Sequence, residues 1–192
     1  SPVPFLTAEK LKTIEEKIID PTINGLRNEG KKFIGCLYAG LMITSDGPKV
    51  VEFNCRFGDP ETQAVLPLLE GDFLKLLLSA AEGNLNKNAV SYSSASAITV
   101  VAASGGYPDD FRKGYLIEGL DTINLKDVLI FHAGTIESDG KIYTNGGRVL
   151  AVTAVNKKGD LFAVKESVYS ALSGIKFKDI YYRKDIAYKA IK

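Results

Sequence analysis

Glu52, Asn54 and Arg56 stand at i, i+2 and i+4 in the run Val-Val-Glu-Phe-Asn-Cys-Arg, residues 50–56. Side chains alternate across a strand, so an extended backbone here puts all three on one face. A carboxylate beside an amide oxygen is a hard-oxygen donor set, the kind that holds Mg²⁺ or Mn²⁺ while leaving positions for phosphate oxygens. Arg56 adds a planar cation suited to phosphate or acyl-phosphate charge. A loop carrying Gly58, Asp59, Pro60 and Glu61 follows at once, and loops of this kind tend to carry function. The competing reading is a half-buried strand whose polar face is merely solvated.

The elements that must position these groups can be read along the chain. Gly35–Thr44 is a strand candidate joined to 50–54 through Ser45-Asp46-Gly47, which predicts an antiparallel hairpin over 33–54 turning at the Asp-Gly step. Before it, Thr7 is an N-cap for a helix from Lys10 to Ile19. Asp20-Pro21 reads as a fresh start running to Asn28, with Gly30 as its end. Asp72 caps a helix over 73–81 closed by Gly83. Residues 84–96 turn rich in Asn, Ser and Lys, which suggests a seam. Strands are expected at 97–104 and 128–133. Turns at Asp139-Gly140 and Asn145-Gly146 predict a meander of 134–138, 141–144 and 148–155. Asp160 caps a last helix, 161–173, stopped by Gly174.

Bulk properties bound the function class. The 192 residues are 45% hydrophobic and 24% charged, within the globular range, with a net charge of +1. No basic field argues for nucleic acid, no polybasic run for a membrane surface, and no apolar run is long enough to span a bilayer. The N-terminus lacks a signal-peptide layout. Cys36 and Cys55 are expected inside paired strands as buried, reduced thiols, which fits a cytoplasmic setting. Cys55 is not expected to act as a nucleophile, because no His is near it in sequence.

The run Tyr38-Ala39-Gly40-Leu41-Met42-Ile43-Thr44, continuing through Glu52-Phe53-Asn54-Cys55-Arg56-Phe57-Gly58-Asp59-Pro60-Glu61-Thr62-Gln63, closely resembles the phosphoribosylamine–glycine ligase family of the ATP-grasp superfamily. The likeness continues, in order, through 102–108, Phe131-His132-Ala133-Gly134-Thr135, Gly146–Thr153 and Tyr182–Ile186, and even Ser1–Pro4 fits it. Departures are few, with Ala187 where the family commonly has Gly and Lys189 where it has Arg.

The resemblance implies an α+β fold: residues 1–88 as the C-terminal subdomain of an ATP-grasp module, and 89–192 as a small β-rich C-terminal domain. It implies ATP as co-substrate, Mg²⁺ or Mn²⁺ at Glu52 and Asn54, and glycine and 5-phosphoribosylamine as substrates. Arg56 would stabilise the transferring phosphoryl group. Asp59 and Glu61 would recognise a substrate amino group, although Asp59-Pro60 is equally turn chemistry. His132 is either a hydrogen-bonded corner residue or a substrate contact. Gly146, Gly147 and Arg148 form either a plain turn or one that brings an Arg close to a phosphate. Arg183-Lys184-Asp185 reads as a salt-bridged anchor. The family enzyme is roughly twice this length, so the chain is expected to be part of a longer ligase whose missing N-terminal half cradles the nucleotide. Alternatives are another ATP-grasp ligase or carboxylase, or a non-catalytic binding module.

Overall fold

The computed structural model describes residues 1–123 and 126–191. It divides into two compact units, and neither is a single stretch of chain. One unit comprises Val3–Asp59 and Leu69–Tyr92; the other comprises Ser1–Pro2, Pro60–Leu68 and Ser93–Lys192. A linear division into 1–88 and 89–192 therefore differs from the observed grouping, in which segments alternate between the units.

In the first unit, Thr7 accepts a hydrogen bond from the Lys10 amide and starts α1, Ala8–Ile14. The helix then runs through a π turn, Glu15–Ile19, straight into α2, Asp20–Asn28. The break expected at Asp20-Pro21 is absent: Asp20 keeps helical angles (φ −60°, ψ −47°), and its amide donates to the Glu15 carbonyl five residues back. A widened turn ahead of Pro21 relieves the clash its ring would make with the preceding turn. Gly30, at φ +73°, ends the run.

β1 (Tyr38–Thr44) and β2 (Gly47–Asn54) pair antiparallel, from Tyr38 opposite Asn54 to Thr44 opposite Gly47. The hairpin starts later than the expected residue 33. Its positive φ falls on Gly47. Gly40 faces Glu52 but Leu41 faces Val50, so Val51 is an extra, bulged residue. Both cysteines lie outside the ladder. Cys36 is only partly buried and Cys55 is exposed, which corrects their expected burial inside paired strands.

The chain then contributes α3 (Thr62–Val65) to the second unit and returns with β3, Leu69–Gly71. Asp72 Oδ1 accepts from the Lys75 amide at 2.8 Å and caps α4, Phe73–Ala81. β4 (Val90–Tyr92) pairs with β3.

The second unit is built on a three-stranded antiparallel sheet. β5 (Ser96–Ala103) and β6 (Val128–His132) flank β9 (Arg148–Asn156), while β7 (Thr135–Ser138) and β8 (Lys141–Thr144) form a separate hairpin. Asp139 and Gly140 both take positive φ (51° and 70°) in the β7–β8 turn. The expected meander does not continue past β8. β9 leaves it and inserts between β5 and β6, because its apolar stretch Val149–Val152 suits a centre strand buried on both faces.

Asp160 Oδ1 accepts from the amides of Phe162 and Ala163 and caps α5, Leu161–Gly174. Val164, Val168 and Leu172, spaced i, i+4, i+8 on α5, meet Val100, Leu150 and Val152 of the sheet, all at most 1% exposed. The tail carrying α6 (Tyr188–Ile191) is held by Tyr169, whose hydroxyl donates to the Arg183 carbonyl at 2.8 Å and accepts from the Ile186 amide at 3.2 Å. Burial there pushes the Tyr169 hydroxyl above its ordinary pKa.

Ala187 sits in the left-handed region at φ +65°, where an L side chain is strained. We expect Ala187→Gly to raise unfolding free energy by about 0.5–1 kcal/mol, because relief of that strain outweighs the added freedom of the unfolded chain. Denaturant unfolding checks this, and a loss of stability would mean the tail is not strained there.

Candidate functional site

Most of the sequence-predicted residues fall into two groups, one in each unit, with Glu61 outside both. In the first unit, Glu52 and Asn54 share a face at the end of β2, and Asn54 Nδ2 donates to Glu52 Oε1 at 3.0 Å. Gly40, opposite Glu52, is what gives that carboxylate its place: a Cβ there would lie 3.1 Å from Glu52 Cγ. The bulged Val51 immediately before resets the pleat, a device common beside functional groups.

Arg56 does not join them on the strand. It lies beyond the last ladder pair, and its guanidinium donates to the Phe57 carbonyl at 2.9 Å. The Phe57 ring packs near Phe73, with ring centroids 6.0 Å apart. Asp59 and Glu61, both exposed, belong to different units. Among the described residues, no three His, Cys, Asp or Glu side chains gather to hold a metal ion. Glu52 and Asn54 do fit one as a partial donor set: they lie within hydrogen-bond distance and are not enclosed. A half-turn of the Asn54 amide would present its oxygen beside the carboxylate.

The second group gathers at one end of the three-stranded sheet. Because β9 is antiparallel to both neighbours, Ala103 of β5, Arg148 of β9 and His132 of β6 end at the same edge. Gly134 and Gly146 let two backbones touch there, since a Cβ on Gly134 would lie 2.5 Å from the Gly146 Cα. The Asn145 amide donates to the Gly134 carbonyl at 2.6 Å, and the Gly134 amide to the Arg148 carbonyl at 2.9 Å. Buried Ser104 grips the turn from β5: its Oγ donates to the Gly146 carbonyl and its amide to the Gly147 carbonyl, both at 2.8 Å. His132 is exposed, with Nδ1 3.0 Å from Thr135 Oγ1.

The structure thus brings His132, at the end of β6, to the same sheet edge as the consecutive Gly146, Gly147 and Arg148. It also adds Ser104 and Gly134, which sequence reasoning did not single out. The signal available for them was the recurrence of small residues at strand ends, Ser104-Gly105-Gly106, Ala133-Gly134 and Gly146-Gly147. Arg183 and Asp185 stand apart as an exposed bidentate ion pair, at 2.9 and 2.7 Å. The Arg183 guanidinium holds the Asp185 carboxyl below its usual range.

The hairpin that carries Glu52 and Asn54 lies in a stretch whose sequence matches an ATP-grasp domain. Residues 1–62 match the family model "Phosphoribosylglycinamide synthetase, ATP-grasp (A) domain", and residues 97–189 match "Phosphoribosylglycinamide synthetase, C domain". The chain belongs to the phosphoribosylglycinamide synthetase family.

It is 47% identical over 188 residues to the phosphoribosylamine–glycine ligase of Caldanaerobacter subterraneus subsp. tengcongensis, covering 97% of this chain and 44% of that protein. It is 46% identical to the trifunctional purine biosynthetic protein adenosine-3 of Gallus gallus, over 100% of this chain and 19% of the relative. Among solved structures it is similar to the phosphoribosylamine–glycine ligase of Thermotoga maritima, with a TM-score of 0.76 and 33% identity, covering 96% of this chain and 44% of that one. A pyruvate carboxylase of Rhizobium etli shares the fold alone, at TM-score 0.63 and 13% identity, over 95% of this chain and 18% of that one. The chain spans less than half the length of these relatives. No helix among the described residues is long and apolar enough to cross a membrane.

Proposed function

We propose that this chain is the C-terminal part of an ATP-dependent ligase that joins glycine to 5-phosphoribosylamine, acting in the cytoplasm. The observation that carries this reading is 47% identity to a phosphoribosylamine–glycine ligase along 97% of the chain, through both units. In the reaction, the γ-phosphoryl group of ATP passes to the glycine carboxylate, giving ADP and an acyl phosphate. The amine of 5-phosphoribosylamine then attacks the acyl carbon, phosphate leaves, and the amide of glycinamide ribonucleotide forms.

Glu52 and Asn54 would hold Mg²⁺ or Mn²⁺, which supplies neutralisation of the charge on the phosphate oxygens. Arg56 would swing from the Phe57 carbonyl to steady the transferring phosphoryl group. Asp59 and Glu61 would accept hydrogen bonds from a substrate amino group, and the attacking amine needs no strong base. At the sheet edge of the second unit, Arg148 on the Gly146-Gly147 turn would meet the 5-phosphate, with His132 beside it. The remaining N-terminal part of the enzyme would supply the nucleotide cradle.

The test is ADP release with ATP, Mg²⁺, glycine and freshly generated 5-phosphoribosylamine, by this chain alone and with the family's N-terminal part added. Turnover only in the mixture supports the reading. Silence from pieces proven to associate rejects this substrate pair. A finer test addresses Gly40. Its replacement by Ala places a methyl group 3.1 Å from Glu52 Cγ, and we expect the Mg²⁺ concentration for half-maximal rate to rise several-fold with folding retained. An unchanged Mg²⁺ dependence would remove Gly40 from the site.

A further inference from the structure

Gly147 is buried, and the reason is a ring: a Cβ on it would lie 2.1 Å from Tyr107 Cδ2, 2.6 Å from Cε2 and 3.1 Å from Phe111 Cε1. Tyr107 itself remains 38% exposed and meets Phe111 edge-on, with centroids 6.1 Å apart. Its loop is fixed to the same turn, since Ser104 ties both the Gly146 and Gly147 carbonyls while the Tyr107 amide donates to the Ser104 carbonyl at 3.1 Å. Just beyond the turn, Ala102 faces Leu150 but Ala103 faces Arg148, so Val149 is bulged and Arg148 takes the place opposite Ala103. A bulge re-aims a side chain only as well as its flanks are held. Here one flank is a glycine turn, intrinsically the loosest kind of backbone.

We propose that Tyr107 is a positioning residue: its ring, seated on Gly147, locks the glycine turn and so fixes how Arg148 leaves β9. The proposal rests on the reading of Arg148 as the phosphate contact. Tyr107 acts through the turn rather than on the substrate, and the contact is steric, so the ring matters and the hydroxyl does not. Gly147 and Tyr107 are therefore one device, in which the missing side chain of the first makes the seat for the second.

The experiment uses the full 192-residue chain, with ¹⁵N NMR of the Arg148 Nε–H and the 146–148 amides, and titration with ribose 5-phosphate. Tyr107→Ala is expected to move the Arg148 signals and to weaken ribose 5-phosphate about tenfold, as loss of one charge-assisted contact would. Tyr107→Phe is expected to restore both. Gly147→Ala is expected to disturb the same signals, and combining it with Tyr107→Ala is expected to recover part of its lost stability, because the collision is gone. Unmoved Arg148 signals in folded Tyr107→Ala would overturn the proposal; should that variant not fold, Tyr107→Leu takes its place. If the unaltered chain does not bind ribose 5-phosphate, the phosphate reading fails, and the ligand-free spectra still decide whether Tyr107 sets the turn.

Discussion

Replacing Glu52 or Asn54 by Ala, in the chain combined with the rest of its enzyme, is expected to lower turnover by about 10²–10³-fold without lowering the unfolding midpoint. The two effects separate because of where the residues sit. Both lie at the open end of β2, joined to each other at 3.0 Å, so cutting either back removes an oxygen donor but almost no packing. Surface truncations of that kind stay within about 0.5 kcal/mol. Asn54→Asp, which keeps an oxygen at the same reach, is expected to recover part of the rate. The measurements are kcat across a Mg²⁺ series and denaturant unfolding of each variant. Near-normal turnover at saturating Mg²⁺ would remove the two residues from metal binding, and lost stability would make them structural.

The opposite balance is expected for Leu172→Ala. Leu172 is fully buried on α5, one turn beyond Val168 and against the central strand β9. Emptying that position leaves a cavity among Val100, Leu150 and Val152, which cannot all shift because β9 is paired on both sides. Leucine truncations in such settings cost about 2–5 kcal/mol. Phe162→Ala, on the same helix but 60% exposed, is the comparison and is expected to cost about 1 kcal/mol or less. Equal losses from the two would mean that α5 is not seated as described.

Local chemistry was readable from the sequence wherever a single residue type decided it. Thr7, Asp72 and Asp160 cap helices because a short side-chain oxygen reaches an orphan amide two or three residues on. Asp139-Gly140 turns because both residues tolerate positive φ. Glu52 and Asn54 share a face because period-two alternation leaves little choice. Tertiary competition was harder to read. Nothing local says that β9 abandons β8 for β5 and β6, since an Asn-Gly step after a polar strand predicts a hairpin. The decision is made by two-sided burial of 149–154. Asp20-Pro21 misled for a related reason: a widened turn absorbs the proline where capping rules alone call for a break. Arg56 fell outside its expected strand face because pairing stops at Asn54, and no residue type announces where a ladder ends. Gly146-Gly147-Arg148 was legible as a turn, but its meeting with Ser104 and Tyr107 depends on strand order.

The alternation of segments between the two units has a consequence for synthesis on the ribosome. Residues 60–68 emerge early, yet Leu68 is buried with Ala95 and Ala97, and its carbonyl accepts from the Ser93 amide at 2.9 Å. The first unit likewise cannot close β3 until β4 has appeared some twenty residues later. Each unit thus waits on chain that the other has interrupted, and neither can be released intact by one cut. A stop codon anywhere between 72 and 90 would strand α3 without its sheet and β3 without its partner. Nascent-chain protease protection is therefore expected to rise in two steps, one after β4 clears the tunnel and one after β9 does, with none when residue 59 has just emerged.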